Sequence, residues 1–90
     1  MTDDRVNFSD TYVGRRVFTA AEQAAAFHAW ASRPARTLSD LDRVLRHQIG
    51  PRDNRRYAAY ACASYMIKKM QRAGVITYFG KKWHFVEAQK

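Results

Sequence analysis

Residues 66–86 read MIKKMQRAGVITYFGKKWHFV, and this stretch decides the fold. Its first part has helical spacing as far as Gly74, a residue type that commonly follows a helix end. Two short apolar and aromatic segments then flank a two-residue loop, Gly80 and Lys81, which predicts a β-hairpin over residues 75–86. In this register one face carries large apolar side chains: Ile76, Tyr78, Trp83 and Phe85. The opposite face is more polar and holds Val75, Thr77, Phe79, Lys82, His84 and Val86. The apolar face is therefore expected to pack on helices.

Three helices are predicted before the hairpin, over residues 19–32, 37–49 and 53–73. Thr19 and Glu22 have the spacing of a capping box, in which each side chain satisfies a free backbone N–H of the first turn. The third helix can begin at Asp53 or Asn54. Its predicted core stripe is Ala59, Ala63, Met66, Ile67 and Met70. Its opposite face has no acid and consists of Tyr57, Ala61, Ser64, Tyr65, Lys68 and Arg72.

The segment before the first helix, TYVGRRVFT at residues 11–19, has β-branched and aromatic residues around a glycine. It predicts a short strand that can add a third strand to the C-terminal hairpin. Residues 1–10 are polar and are expected to be flexible or to fold back late onto the domain. The prediction is thus one α+β domain over residues 1–90, with three helices, a C-terminal β-hairpin and an extra short N-terminal strand.

Positive charge is concentrated in the second half of the chain. The whole protein has 16 Lys and Arg against 8 Asp and Glu, a net charge of +8. Residues 1–42 carry five arginines and six acids, whereas residues 43–90 carry eleven basic residues and two acids. Such a field attracts polyanions, so charge alone makes nucleic acid the first candidate partner, an anionic membrane the second and an acidic protein the third.

Other function classes lack their usual motifs. The chain has no phosphate-cradling glycine loop, no paired carboxylates and no nucleophile with a base, so we expect neither an enzyme nor a cofactor. The three histidines show no ligand spacing, which argues against a metal site. The single cysteine, Cys62, excludes an internal disulfide and is expected to be a small buried hydrophobe.

Membrane insertion and secretion also lack support in the sequence. No apolar run approaches the ~20 residues that a membrane helix needs. The first ten residues, MTDDRVNFSD, have no secretory signal pattern. We therefore expect a cytoplasmic protein, associated with the nucleoid or, for a viral protein, in the host cytoplasm, with no membrane partner.

The order of three helices and a hairpin, with MIKKMQRAGVI leading into TYFGKKWHFV, resembles the winged helix-turn-helix superfamily over residues 37–87. That resemblance implies that the last helix enters a DNA groove while the hairpin, or wing, contacts the neighbouring backbone. Carried over by position, Ser64, Tyr65 and Lys68 become recognition-helix residues, and Lys81 and Lys82 become wing-tip residues. The interval between the second and third helices is about ten residues longer than in the usual pattern.

Further candidates come from the residues themselves. Arg52, Arg55 and Arg56 surround the predicted start of the third helix, where free N–H groups and guanidinium groups favour phosphate. Arg72 extends the basic face of this helix. The alternative for the arginines is a solvated turn; for Lys81 and Lys82 it is protection of an edge strand. Tyrosines often line the edge of a small core, and Tyr60 is expected to do so.

The sequence thus predicts a small DNA-binding protein, a prokaryotic or viral transcriptional regulator, and a homodimer would suit the two half-sites that many such domains read. Two alternatives stay open. One is a winged-helix protein-interaction module, such as a viral inhibitor that binds an acidic host protein. The other is RNA binding, since nothing in the sequence separates RNA from DNA.

Overall fold

The computed structural model of the chain describes residues 6–33 and 36–86. The elements in chain order are β1 (Thr11–Val13), β2 (Arg16–Phe18), α1 (Ala20–Ala31), α2 (Leu38–Ile49), a 3₁₀ helix (Asn54–Ala58), α3 (Ala59–Arg72), β3 (Ile76–Phe79) and β4 (Lys82–Phe85). The predicted α+β class, with three helices and a C-terminal hairpin, is confirmed.

Local capping chemistry sets the start of α1 and α2. The Thr19 side chain accepts from the Glu22 backbone N–H at 3.1 Å, and the Glu22 carboxylate accepts from the Thr19 N–H at 2.9 Å. This reciprocal pair is the capping box that the sequence predicts. Thr37 caps α2 in the simpler way, by accepting from the Asp40 N–H at 3.1 Å.

The third helix differs from its prediction at its N-terminal end. Asp53 is an N-cap, but it accepts from the Arg55 N–H, two residues ahead, and the chain winds as a 3₁₀ helix to Ala58 before α3 begins. The side chains of Arg55 and Arg56 are both bonded to other elements. These anchors hold the turn in a tighter winding than the α-helix expected from Asp53 onward.

The N-terminal strand prediction was wrong in its pairing. β1 and β2 form their own antiparallel hairpin, with Tyr12 opposite Val17, and no hydrogen bonds join it to β3 and β4. Gly14 has φ 63°, which a two-residue loop requires at this position. Residues 1–5 of the segment expected to be flexible lie outside the described part; beyond them, Val6 is buried and the ring of Phe8 contacts that of Phe27.

The C-terminal hairpin has the predicted register, Phe79–Lys82, Tyr78–Trp83, Thr77–His84 and Ile76–Phe85. Both loop residues have positive φ, 59° at Gly80 and 65° at Lys81, the pattern of a type I′ turn. Ile76 is buried and the half-buried Trp83 and Phe85 pack against the core, whereas Tyr78 is 55% exposed. The expectation that the whole apolar face packs on the helices was therefore wrong for Tyr78.

Val75 was also assigned to the wrong side, since it is fully buried. It belongs to the helix-ending turn: its N–H donates to the Met70 carbonyl at 3.0 Å, and the Gly74 N–H donates to that of Gln71 at 3.0 Å. These are the two bonds of a Schellman motif, which brings the residue after the glycine against the last turn of the helix.

One core joins all elements. Its fully buried members include Phe18, Trp30, Leu41, Leu45, Met66, Met70 and Val75. The predicted stripe of α3 lies entirely within it. The buried polar side chain of Gln23 donates to the carbonyls of Ser9 at 2.8 Å and Phe18 at 2.9 Å, which ties α1 to the N-terminal hairpin.

Among the described residues, no helix combines the length and apolar character needed to cross a bilayer.

Candidate nucleic-acid interface

Every carboxylate of the described residues has an internal partner. Asp10 accepts from the Ala20 N–H, and four others pair with arginines: Asp40 with Arg33, Asp42 with Arg46, and both Glu22 and Asp53 with Arg55. The chain from residue 54 to residue 86 contains no acid. The basic side chains of α3 and the C-terminal hairpin therefore form no ion pair with any carboxylate in residues 6–33 and 36–86.

Arg55, which the sequence placed at a phosphate site, lies inside the fold. Its Nη1 donates to Glu22 Oε1 at 2.7 Å and to the Val17 carbonyl at 3.0 Å, and its Nη2 donates to Asp53 Oδ2 at 2.7 Å. The guanidinium also lies over the ring of Phe18, 5.5 Å from its centroid. Arg55 thus joins the N-terminal hairpin, α1 and the 3₁₀ helix, and few of its donors are left for a phosphate.

This cluster changes the ionisation of its members. The hydrogen bond from Arg55 lowers the pKa of Glu22, against the opposing effect of burial. The Arg55 side chain likewise lowers the pKa of Asp53, and the two carboxylates raise the pKa of Arg55. All three groups are charged at neutral pH, which suits a structural ion-pair network.

Arg52 and Arg56, the other two candidates at this turn, have different environments. Arg56 Nη1 donates to the carbonyl of Arg46 at 2.8 Å and to that of Gly50 at 3.3 Å, which satisfies the C-terminal end of α2. Its remaining donors are unused among the described residues. Arg52 is exposed and has no side-chain partner there.

The outward face of α3 carries the predicted recognition residues. Tyr65, Lys68 and Arg72 are exposed, and Ser64 is half-buried beside them. Ser64 and Tyr65 lie four and three residues before Lys68, and Arg72 lies four after it, so all four share one face of the helix. This face is polar, cationic and free of acids, as the sequence predicts. Tyr60 is 52% exposed, so the expectation that it lines the core edge was wrong.

The tip of the C-terminal hairpin is basic and its shaft is aromatic on both sides. Lys81 and Lys82 are exposed at the tip. The rings of Tyr78 and Trp83 meet across the strands at 4.9 Å on one side, and those of Phe79 and His84 stack at 3.8 Å on the other. These cross-strand pairs stiffen a two-stranded hairpin that extends from the core.

Two groups of cations were missed by sequence reasoning. Arg15 and Arg16 are exposed at the loop of the N-terminal hairpin. The signal was available, because Gly14-Arg15-Arg16 repeats the glycine and two cations of Gly80-Lys81-Lys82. The other group is Arg43 and Arg46 on α2; Arg46 lies in the last turn of this helix and lines a pocket together with Arg52 and Arg56.

The described residues contain no candidate metal site, and their one cysteine is buried. No three His, Cys, Asp or Glu side chains there come together as metal ligands. Cys62 is fully buried, as predicted, and burial raises the pKa of its thiol to about 12.

Comparison with protein-family models, curated proteins and solved structures gave no match to this chain.

Proposed function

We propose that this protein binds duplex DNA through the outward face of α3 and the C-terminal hairpin. The observation that carries the proposal is the distribution of charge. The described carboxylates are all engaged inside the fold, whereas Lys68, Arg72, Lys81 and Lys82 are exposed and unopposed by them. An unopposed cationic surface gains affinity for DNA mainly by releasing counterions from phosphates.

The arrangement of the hairpin supports a winged-helix docking mode. The Trp83 N–H donates to the Arg36 carbonyl at 2.8 Å, and Arg36 Nε donates back to the Trp83 carbonyl at 3.2 Å. Arg36, just before α2, thus lies against the outer edge of β4. This contact fixes the hairpin relative to the helices, as a wing that must reach the DNA backbone while α3 lies in a groove requires.

Each element has a separate role in this proposal. Ser64 and Tyr65 face the groove from α3, where hydroxyl groups can bond to base edges or phosphates. Lys68 and Arg72 neutralise phosphates further along the helix. Lys81 and Lys82 contact the backbone beside the groove. Such a protein acts as a transcriptional regulator in a prokaryotic or virus-infected cytoplasm.

The test is a titration of mixed-sequence duplex DNA from about 50 to 300 mM salt. Removing two phosphate contacts reduces the log–log salt slope by about 2. We expect that reduction in the Lys68→Ala/Arg72→Ala variant and not in Arg43→Ala, which removes an exposed cation of α2 outside the proposed surface. Absence of binding at the lowest salt, or an equal loss in both variants, would contradict the proposal.

One observation favours a second candidate function, a protein-interaction module. Phe79 is 61% exposed and Tyr78 is 55% exposed, on opposite sides of the hairpin. Exposed aromatic side chains of this kind often dominate protein interfaces. An acidic protein partner would lose affinity on Phe79→Ala with weak salt dependence, whereas DNA binding would depend on the lysines and on salt. RNA is distinguished by repeating the titration with an RNA duplex of the same sequence.

A further inference from the structure

An open pocket of about 370 Å³ lies where α2 ends and the 3₁₀ helix begins. Three of its lining residues are arginines, Arg46, Arg52 and Arg56, which come from different positions along the chain. Asn54 and Tyr57 also line the pocket. The volume falls in the range of small-molecule sites, about 300–1,000 Å³.

The charge of this pocket is positive. Its lining includes one carboxylate, Asp53, and that group is already engaged: its two oxygens accept from Arg55 Nε and Nη2 at 2.7–3.1 Å. Arg55 thereby partly neutralises Asp53. Of the three lining arginines, Arg46 is paired with Asp42, whereas Arg52 and Arg56 have no carboxylate partner among the described residues, so the pocket favours an anion.

The arginines also keep donors free. Arg56 is held by Nη1 on two backbone carbonyls, which leaves its Nε and Nη2 without partners among the described residues. Arg46 uses Nε for Asp42 at 3.0 Å, which leaves both of its Nη groups. Two guanidinium groups fixed by one nitrogen each, with the remaining nitrogens free, are well suited to the several oxygens of a phosphate.

Tyr57 suggests what the phosphate is attached to. Its side chain is 89% exposed, the most exposed of the large hydrophobic residues, and lies at the pocket. A free aromatic face next to a phosphate site can stack on a nucleobase. The exposed amide of Asn54, which has no partner among the described residues, can donate to and accept from a base edge.

We propose that this pocket binds a nucleotide, with its phosphate on Arg46, Arg52 and Arg56 and its base on Tyr57. The shared chemistry is a phosphate ester next to a planar base, from either a free nucleotide or a nucleotide of a strand. The site shares no residue with the proposed surface of α3 and the wing, and it does not require that either of them binds a duplex.

The test is calorimetric titration of the full-length protein with adenosine 5′-monophosphate, adenosine and inorganic phosphate. We expect the monophosphate to bind more tightly than either fragment. Stacking and phosphate contacts of this kind are each worth about tenfold in affinity. Arg52→Ala and Tyr57→Ala should therefore each weaken monophosphate binding by about that factor. Both residues are exposed, so both variants should keep the wild-type thermal midpoint.

The matched control is Arg15→Ala, which removes one exposed cation from the N-terminal hairpin, outside both proposed sites, and should leave monophosphate binding unchanged. Loss of binding in this control equal to that in Arg52→Ala would overturn the proposal, since net charge alone would then explain it. So would no binding of the monophosphate at millimolar concentration. If Arg52→Ala weakens monophosphate binding and Tyr57→Ala does not, the ligand is not recognised by its base, and the assignment of a nucleotide is overturned.

A second titration with short single strands identifies the source of the nucleotide. Tighter binding of the strand than of the monophosphate, weakened by Tyr57→Ala, assigns the pocket to a strand. Equal or tighter binding of the monophosphate assigns it to a free nucleotide. If the protein binds the monophosphate but no duplex DNA, the nucleotide site is supported and the proposed DNA surface of α3 and the wing is contradicted.

Discussion

Replacing Arg55 by methionine should destabilise the fold. Methionine keeps much of the side-chain volume but removes the charged hydrogen bonds to Glu22 and to the Val17 carbonyl and the contact with the Phe18 ring. A hydrogen bond to a charged group is worth about 1.5–3 kcal/mol. A cation–π contact adds about 0.5–1 kcal/mol at a partly exposed site. Because the Arg55–Glu22 ion pair is partly solvated, we expect the free energy of unfolding to fall by about 2–4 kcal/mol.

The assay is urea or thermal unfolding of Arg55→Met beside Arg52→Ala, which removes an exposed arginine from the same turn. For a domain of this size a loss of 3 kcal/mol lowers the melting midpoint by roughly 12–24 °C. Arg52→Ala should stay within about 0.5 kcal/mol of the wild type.

A double-mutant cycle with Glu22→Gln isolates the ion pair, because glutamine can still serve the capping box. The coupling free energy should be at least about 1 kcal/mol. A wild-type midpoint for Arg55→Met together with weakened DNA binding would refute the structural role of Arg55. Arg55 would then be a phosphate-binding residue, as the sequence suggested.

Three further predictions concern single groups. In the folded state the Arg55 hydrogen bond lowers the pKa of Glu22 from its ordinary 4.5. The ionised Glu22 therefore stabilises the fold fully above pH 4.5, and this stabilisation is lost as the pH falls through the lower pKa of the folded state. The urea midpoint should drop with acidification, and it should drop less in Glu22→Gln. Because the thiolate is the reactive form and the pKa of Cys62 is about 12, a thiol reagent at pH 8 should label the folded protein only at its rate of unfolding and label it rapidly in urea. Phe79→Ala should change the free energy of unfolding by less than about 0.5 kcal/mol and leave DNA affinity within twofold of the wild type. A larger loss of DNA affinity would show that Phe79 contacts the DNA.

Features governed by short-range chemistry were predictable from the sequence. A two-residue loop at Gly80 fixes which residues face each other, so the whole register of the C-terminal hairpin follows from it. The capping box at Thr19 sets the start of α1 for the same reason. The N-terminal hairpin was predictable as well, since Gly14 followed by two arginines repeats the loop pattern that was recognised in the C-terminal one.

Features that depend on distant parts of the chain were not predictable. Arg55 meets Glu22 and Val17 across 33 and 38 residues of sequence, and no local pattern distinguishes it from its neighbour Arg52. The pocket lies within residues 46–57, but its shape depends on the 3₁₀ turn, which the sequence pattern did not predict. Sequence counting also treats all cations alike, whereas the fold neutralises some and leaves others free.

That difference predicts how strongly DNA binding depends on salt. If the whole positive excess of the second half took part, nine charges would give a log–log slope near −8, at about 0.9 per phosphate. The structure engages Arg55 internally and offers Lys68, Arg72, Lys81 and Lys82 as the exposed cations of the proposed surface. Four contacts per protomer predict a slope of about −3 to −4. A slope near −8 for a monomer bound to one site would show that several cations outside this surface also contact phosphate, and alanine variants of Arg15, Arg16, Arg43 and Arg52 would then identify which.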